Sequence, residues 1–155
     1  MVDPALIIRA LNRARVDYLV IGGVAATLHG CPEQTYDLDI LYAATPENRS
    51  RLLTALREIE AEWDQPLTDD LLQRQSVFAL NTKHGDLDIF TSVPGIENFS
   101  AAASTANICN LAGQEVKMLD LQTLILSKEA AADPNPRKQA ALAYLKAIQR
   151  KQQRS

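Results

Sequence analysis

The chain has 155 residues, of which 46% are hydrophobic and 23% are charged. This composition is typical of one globular domain and excludes a disordered or multi-domain chain. Its longest apolar stretch, Tyr18 to Leu28, is shorter than the about 18 residues that cross a bilayer, and the first residues lack the positive charge of a secretory signal. We therefore expect a cytoplasmic protein with no membrane partner. Cys31 and Cys109 lack the spacing of a disulfide framework or a zinc site, so we expect both to be reduced and buried.

Charge is divided unevenly along the chain. Residues 1–133 carry ten Lys and Arg and all 19 Asp and Glu, a net charge of −9, whereas residues 134–155 carry six Lys and Arg and no acid, a net charge of +6. Such a basic tail is typical of a segment that meets a phosphate backbone or an acidic partner, and equally of a solvated terminal helix.

Helix and strand patterns alternate along the chain. Apolar positions at helical spacing, together with helix-start residues such as Asp3, Thr45 and Asp120, predict helices over 4–15, 24–28, 46–63, 96–104, 120–131 and 137–150. Alternating or short apolar runs predict strands over 16–21, 36–42, 76–81, 86–91, 106–110 and 114–118. This order predicts an α/β (α+β) fold in one domain spanning 1–155, with a basic C-terminal helix 137–150 and a frayed tail 151–155.

Two of the predicted strands carry nearly the same acidic motif, Asp37-Leu38-Asp39-Ile40 and Asp86-Leu87-Asp88-Ile89. Side chains two apart on a strand share a face, so each pair of acids points away from its apolar neighbours. If the strands are neighbours, three or four carboxylates converge and attract a hard cation such as Mg²⁺ or Mn²⁺. The alternative is that these acids only face solvent, and Asp86 is a weaker candidate than the other three.

Gly22-Gly23 separates the first predicted strand from a short helix. A strand that ends in glycines and enters a helix offers free backbone N–H groups to a phosphate. The pattern is not a Walker A loop, because no Lys-Ser or Lys-Thr follows.

Some other side chains have plain structural explanations. His29 is expected to be a hydrogen-bonded structural residue. Trp63 and Tyr144 occupy apolar helix positions, which predicts core packing rather than base stacking. Lys128 lies on the apolar stripe of Leu121, Leu124 and Ile125, where it either faces an anion or extends from the edge of the stripe to water.

In this order the motifs resemble the signature of the nucleotidyltransferase superfamily: an apolar strand ending in Gly-Gly, an Asp-apolar-Asp strand and a third acid on a later strand. The run from Ile21 to Ile40 is closer still to a small prokaryotic branch that includes minimal nucleotidyltransferases and AbiEii-type toxins. Asp88 to Gly95 and Leu124 to Ala130 also match this branch, and the resemblance covers about residues 5–145.

The resemblance implies a nucleotidyltransferase-like mixed sheet flanked by helices. It also implies an enzyme that moves an NMP from an NTP such as ATP to a hydroxyl acceptor, including as a toxin–antitoxin component. Asp37, Asp39 and Asp88 would be catalytic and would hold Mg²⁺ or Mn²⁺, with Asp88 also helping to deprotonate the hydroxyl. Gly22 and Gly23 would cradle phosphate. Lys128 would reach the triphosphate.

The acceptor stays open among tRNA, another protein such as an antitoxin, and a small molecule. A homodimer is a further expectation, since a short chain can need a second copy to complete its cleft.

Two positions depart from the relatives. Glu33 stands where they usually have Arg, and Gln139 stands where they have an acid. These departures leave a second hypothesis open, a noncatalytic module of the same fold that binds a nucleotide or a partner. A glycosyltransferase is disfavoured because it needs a larger nucleotide-binding domain. A phosphatase of the HAD type is disfavoured because Ile40-Leu41 follow Asp39 where a hydroxyl residue is needed.

Overall fold

A computed structural model describes residues 3–32 and 37–154 of the chain. Its elements, in chain order, are α1 (Pro4–Arg13), β1 (Tyr18–Ile21), α2 (Gly22–Leu28), β2 (Asp37–Tyr42), α3 (Pro46–Glu58), α4 (Asp69–Arg74), β3 (Val77–Thr82), β4 (Gly85–Phe90), α5 (Phe99–Ser104), β5 (Asn107–Leu111), β6 (Gln114–Met118), α6 (Leu121–Ala131) and α7 (Pro136–Gln153).

The six strands form one mixed sheet in the order β3-β4-β2-β1-β6-β5. β1 is antiparallel to β2 and parallel to β6, while β2 is parallel to β4. The two outer hairpins, β3–β4 and β5–β6, are antiparallel. The predicted α/β (α+β) class, a mixed sheet flanked by helices, is confirmed.

The core lies between the sheet and its helices. All four residues of β1 are buried, and α1 contributes Ile7, Ile8 and Leu11 to the same cluster. On β2, Leu38 and Ile40 are fully buried, so the strand turns its acids to the opposite face. Burial of these apolar side chains supplies the main stabilisation of the fold.

The two aromatic side chains predicted to pack in the core, Trp63 and Tyr144, lie in different environments. Trp63 lies beyond the end of α3 at Glu58 and not on the predicted helix 46–63, but it packs edge-on against Phe78, with ring centroids 5.1 Å apart, which confirms core packing. The prediction for Tyr144 is wrong: its side chain is 46% exposed on α7. Helical periodicity placed Tyr144 beside Leu145, but the core side of α7 is filled by Ala141 and Leu145 instead.

The helix starts predicted after Asp3, Thr45 and Asp120 are confirmed, although not every one of these residues caps its helix. The other predicted starts shift: α2 begins at Gly22 rather than at 24, and α5 at Phe99 rather than at 96. Thr45 caps α3 by accepting a hydrogen bond from the Asn48 backbone N–H (3.2 Å). Asp3 and Asp120 make no side-chain cap bond, and the Asp120 carboxylate instead accepts one from the Thr105 hydroxyl (3.1 Å).

Several boundaries differ from those predicted. The segment 64–74, which the sequence left unassigned, contains α4. Helix α7 continues through Gln153, into the tail predicted to fray from residue 151. Tyr36, the predicted first residue of β2, and Glu33 lie outside the described residues. Cys31 is buried, as predicted, whereas Cys109 is only half-buried. Within 3–32 and 37–154, no helix combines the length and apolar character needed to cross a membrane.

Candidate active site

The parallel pairing of β2 and β4 aligns the two acidic motifs residue by residue. Asp37 is opposite Asp86 and Asp39 is opposite Asp88 in the strand register. Since residues two apart share a strand face, all four carboxyl groups lie on one face of the sheet. On the other side of β2, Asp39 is opposite Ile21, the last residue of β1. The site therefore lies where β1 ends and α2 begins.

Asp39 and Asp88 form a hydrogen-bonded carboxyl pair. Burial, the charge of Asp88 and this hydrogen bond together raise the pKa of Asp39 to about 7. Burial and the charge of Asp37 also raise the pKa of Asp88, although accepting the hydrogen bond from Asp39 works in the other direction. At and below neutral pH, the raised pKa of Asp39 favours one proton held between the two carboxyl groups, because two ionised carboxylates would repel each other.

The first acid of each motif is more exposed than the second. Asp37 and Asp86 face solvent, whereas Asp39 and Asp88 are half-buried. The charge of Asp37 contributes to the raised pKa values of Asp39 and Asp88, and that of Asp86 contributes at Asp88. The structure thus brings the three predicted catalytic acids together and adds Asp86 at the rim.

The donor set is chemically suited to a hard divalent cation. Carboxylate oxygens are the ligands that Mg²⁺ and Mn²⁺ prefer, and a cation would relieve the repulsion that the shared proton now relieves. In the part of the chain that the structure describes, however, no three His, Cys, Asp or Glu side chains stand ready to hold one ion. To hold one ion, the side chains of Asp37, Asp39 and Asp88 would have to move, and the proton between Asp39 and Asp88 would have to leave.

Gly22 is required by the close approach of Asp39. Its φ is +67°, and a Cβ atom at this position would collide with the Asp39 carboxylate and lie 3.2 Å from the Asp39 Cβ. α2 begins at Gly22 itself, so the predicted glycine turn is the first turn of the helix. Gly23 follows in the same turn and is half-buried. Gly22 therefore leaves space for Asp39 at the strand–helix junction, whereas the sequence predicted only a phosphate contact for this glycine.

A cavity of about 420 Å³ opens beside Gly22, between the end of β1, the chain after β4, and helices α6 and α7. Its walls are mainly apolar and include Ile21, Val93, Leu119, Leu124 and Leu142. The predicted phosphate-binding residues Gly22 and Lys128 both line it, and the half-buried position of Lys128 agrees with an inward-facing side chain. Gln139, the amide in place of the family's acid, also lines this cavity.

Lys138 is the site residue that sequence reasoning missed. It comes from the first turn of α7, lines the same cavity, and its positive charge acts on Asp39 in the direction that lowers the carboxyl pKa. The signal available in the sequence was the acid-free basic tail, which indicated cations but not that one of them reaches the acidic strands.

His29 has the structural role that was predicted. Its Nε2 atom is 2.7 Å from the carbonyl oxygen of Leu119, which ties the end of α2 to the segment after β6. His84 lies in the β3–β4 turn, where its carbonyl accepts a hydrogen bond from the Asp3 backbone N–H (2.7 Å).

No family model and no curated protein matches this chain by sequence. Solved structures do match it by fold. The lincosamide antibiotic adenylyltransferase LnuA, in a lincomycin-bound crystal structure, superposes with a TM-score of 0.67 at 17% identity, over 95% of this chain and 98% of that one. The antibiotic-resistance factor ANT(2'')-Ia, in complex with adenylyl-2''-tobramycin, gives a TM-score of 0.61 at 16% identity, over 92% and 84%. The fold is that of nucleotidyltransferases.

Proposed function

We propose that the protein is a nucleotidyltransferase that moves an NMP from an NTP to a hydroxyl group, with Mg²⁺ or Mn²⁺ held by Asp37, Asp39 and Asp88. The observation that carries this proposal is the carboxyl group of Asp39, which pairs with Asp88 and packs against Gly22, a residue that also lines the cavity of Lys128 and Lys138. Carboxylates and lysines in this arrangement fit the two needs of phosphoryl transfer, a metal site and a polyanion site.

The chain's own residues have separate tasks in this reaction. Lys128 and Lys138 bind the negative charge of the triphosphate, while Gly22 and Gly23 let its phosphates approach the backbone closely. The acceptor oxygen forms a bond to the α-phosphorus, the bond from that phosphorus to the bridging oxygen breaks, and pyrophosphate leaves. Asp88 takes the proton of the acceptor hydroxyl. A divalent cation, when bound, neutralises the charge that develops on the phosphate oxygens.

Finer features of the proposal come from the sequence resemblance. We place the protein in the cytoplasm and in the small prokaryotic branch of minimal nucleotidyltransferases and AbiEii-type toxins, as one component of a toxin–antitoxin pair. ATP is the expected donor, because both fold neighbours named above are described as adenylyltransferases or carry an adenylyl product. A homodimer is the expected assembly.

Label transfer tests this proposal directly. The protein is incubated with each α-³²P-labelled NTP, Mg²⁺ and total cell extract, and the extract is then separated into nucleic acid, protein and small-molecule fractions. We expect label in one fraction with the native protein and none with Asp39→Asn. Label in no fraction, with any NTP and with Mg²⁺ or Mn²⁺, would contradict the proposal.

A noncatalytic nucleotide-binding module is the second candidate. It is favoured by the absence, in the described ranges, of three ligands ready to hold a metal ion, and by Gln139 in the cavity. The two functions separate in a thermal-shift titration run alongside the label assay. A rise in Tm with NTP and Mg²⁺, without turnover on any extract, would replace the enzyme with the binding module.

A further inference from the structure

The last helix, α7, begins at the candidate site and extends away from it. It contains most of the positively charged residues of the C-terminal segment. Lys138, in its first turn, lines the cavity beside Gly22. The helix covers 18 residues, which corresponds to a length of about 27 Å. Over residues 134–155 there are six Lys and Arg and no acid, against a net charge of −9 in the rest of the chain.

One face of α7 is exposed over the whole length of the helix. Positions three and four apart lie on the same side of a helix, and the exposed residues at that spacing are Arg137, Ala140, Tyr144, Ala147, Lys151 and Arg154. We call this set the α7 outer face. Arg150 is also exposed and lies next to it. Lys146 is oriented differently, since its ammonium pairs with Glu129 of α6 (3.2 Å) and helps hold the two helices together.

The chemistry of this face favours a nucleic acid over a protein. An interface with a protein usually has a buried apolar centre, but Tyr144 is the only large apolar side chain on the α7 outer face, and it is 46% exposed. Cations at both ends of the face, with one exposed aromatic ring between them, match a phosphate backbone and a base that stacks. A small cationic acceptor would gain nothing from this face.

We propose that the α7 outer face binds a single-stranded nucleic acid whose terminal hydroxyl is the acceptor at the carboxylate site. The strand lies along α7, with Lys151, Arg154 and the adjacent Arg150 on its phosphates and Tyr144 against a base, and its end enters beside Lys138. The identity of the acceptor rests on the proposed function, whereas binding to α7 does not.

Binding is measured first, with the full chain and without NTP or metal. Fluorescent 12-nucleotide RNA and DNA of the same sequence are titrated with protein between 50 and 300 mM salt. Replacing two cations that contact phosphate lowers the magnitude of the slope of log K against log salt by about 1.4. The affinity at 0.15 M salt then falls roughly tenfold. We expect this from Arg150→Gln with Arg154→Gln, and about fivefold or more weakening from Tyr144→Ala.

A matched control is available on α3. Arg51 and Arg57 are exposed and lie on a different helix, so Arg51→Gln with Arg57→Gln removes the same charge away from α7. We expect this variant to bind within twofold of the native protein. The RNA and DNA arms decide which strand is the ligand, and tight binding of either one supports the inference.

Three results would overturn the inference. One is that neither oligonucleotide binds at 50 mM salt. A second is that the α3 control weakens binding as much as the α7 variant does. A third is that poly-glutamate binds through α7 while both oligonucleotides fail, which would indicate an acidic protein partner.

The label assay separates this inference from the proposed function. Oligonucleotide binding through α7 without transfer to any acceptor would contradict the proposed transferase activity and support the nucleic-acid-binding surface. Transfer to another acceptor without oligonucleotide binding would contradict the binding surface and support the transferase activity.

Discussion

The motifs Asp37-Leu38-Asp39-Ile40 and Asp86-Leu87-Asp88-Ile89 have the same sequence. Within each motif the first aspartate is exposed and the second is half-buried. In both strands the leucine and isoleucine are buried in the core, so the strands are equivalent on their apolar side. On the polar side the second acids, Asp39 and Asp88, form a hydrogen-bonded pair, and the first acids, Asp37 and Asp86, remain at the rim.

This difference shows that a position in the sheet, and not the motif, determines the chemistry of an aspartate. Asp39 lies between β1 and β4, where Gly22 leaves only enough room for its carboxyl group. Asp86 lies at the start of β4 and meets solvent. The four predictions below test whether the inner pair and the outer acids differ in function as they differ in burial.

The largest expected effect is on the inner pair. Asp88→Asn removes the group that takes the acceptor proton and one ligand of the proposed metal site, so we expect NMP transfer to fall by about a thousandfold or more. Asp86→Asn, the matched change on the same strand, is expected to lower transfer by less than about threefold. Steady-state kcat/KM of both variants, with circular dichroism to confirm folding, measures the contrast. Equal losses in the two variants would contradict the functional division between inner and outer acids.

The next effect concerns the space beside Asp39. Gly22→Ala adds a Cβ that collides with the Asp39 carboxylate, at a backbone φ of +67° that disfavours side chains. Gly113→Ala is the control, because its φ is also positive, +86°, but no atom lies within 4 Å of the added Cβ. We expect about 1 kcal/mol of destabilisation at Gly113 and about 3 kcal/mol or more at Gly22. Urea unfolding measures both, and similar values would show that the collision with Asp39 is relieved without cost.

Much of this contrast could be predicted from the sequence. The alternation of acids with Leu38 and Ile40 indicates which face is buried, and Gly22-Gly23 after an apolar strand predicts a glycine turn at the same end of the sheet as the acids. The prediction required the two acidic strands to be neighbours, and the pairing of β2 with β4, which aligns Asp39 with Asp88, satisfies this condition. Local pattern was sufficient here because strand periodicity fixes side-chain direction.

Features that depend on the packing of distant segments could not be predicted in the same way. Lys138 is about a hundred residues from Asp39 in the sequence, so no local pattern connects the two charges. The exposure of Tyr144 depends on which side of α7 packs onto α6, and helical periodicity alone does not determine that side when small residues such as Ala141 and Ala147 alternate with large ones. Both errors concern α7, a weakly amphipathic helix that contains five basic residues and no acid.

A third prediction uses the proton shared by the inner pair. Because the pKa of Asp39 is raised from 3.8 to about 7, the folded protein holds a proton that the unfolded chain releases. The stability contribution of this group is therefore largest below about pH 4 and declines as the pH rises to about 7. Asp39→Asn cannot ionise, so without metal we expect its Tm to exceed that of the native protein by about 5 °C at pH 8 and to be similar at pH 4.

Divalent cations sharpen this third prediction. At pH 8, Mg²⁺ is expected to raise the Tm of the native protein, since it replaces the lost proton between the carboxylates, and to leave Asp39→Asn unchanged. Differential scanning calorimetry at the two pH values measures all four combinations. A Tm difference between the native protein and Asp39→Asn that is the same at pH 4 and pH 8 would show that Asp39 and Asp88 do not share a proton.

The smallest effect is expected at the cation that faces the inner pair. Lys138 lines the cavity and acts on Asp39, whereas Lys146, two turns further along α7, pairs with Glu129. If Lys138 binds the triphosphate, Lys138→Gln should raise the KM for NTP about tenfold, equivalent to roughly 1.4 kcal/mol of lost binding. Lys146→Gln should change it less than twofold, because an exposed ion pair contributes little.

Lys138→Arg provides the deciding comparison, since it keeps the charge at the same place on α7. Recovery of most of the affinity for NTP would identify charge as the property that matters. A variant that lowers kcat while the KM stays constant would instead assign Lys138 to the carboxylate pair, as a fixed counter-ion of Asp39. Comparison of the change in KM with the change in kcat therefore shows whether Lys138 acts on the substrate or on the carboxyl pair formed by β2 and β4.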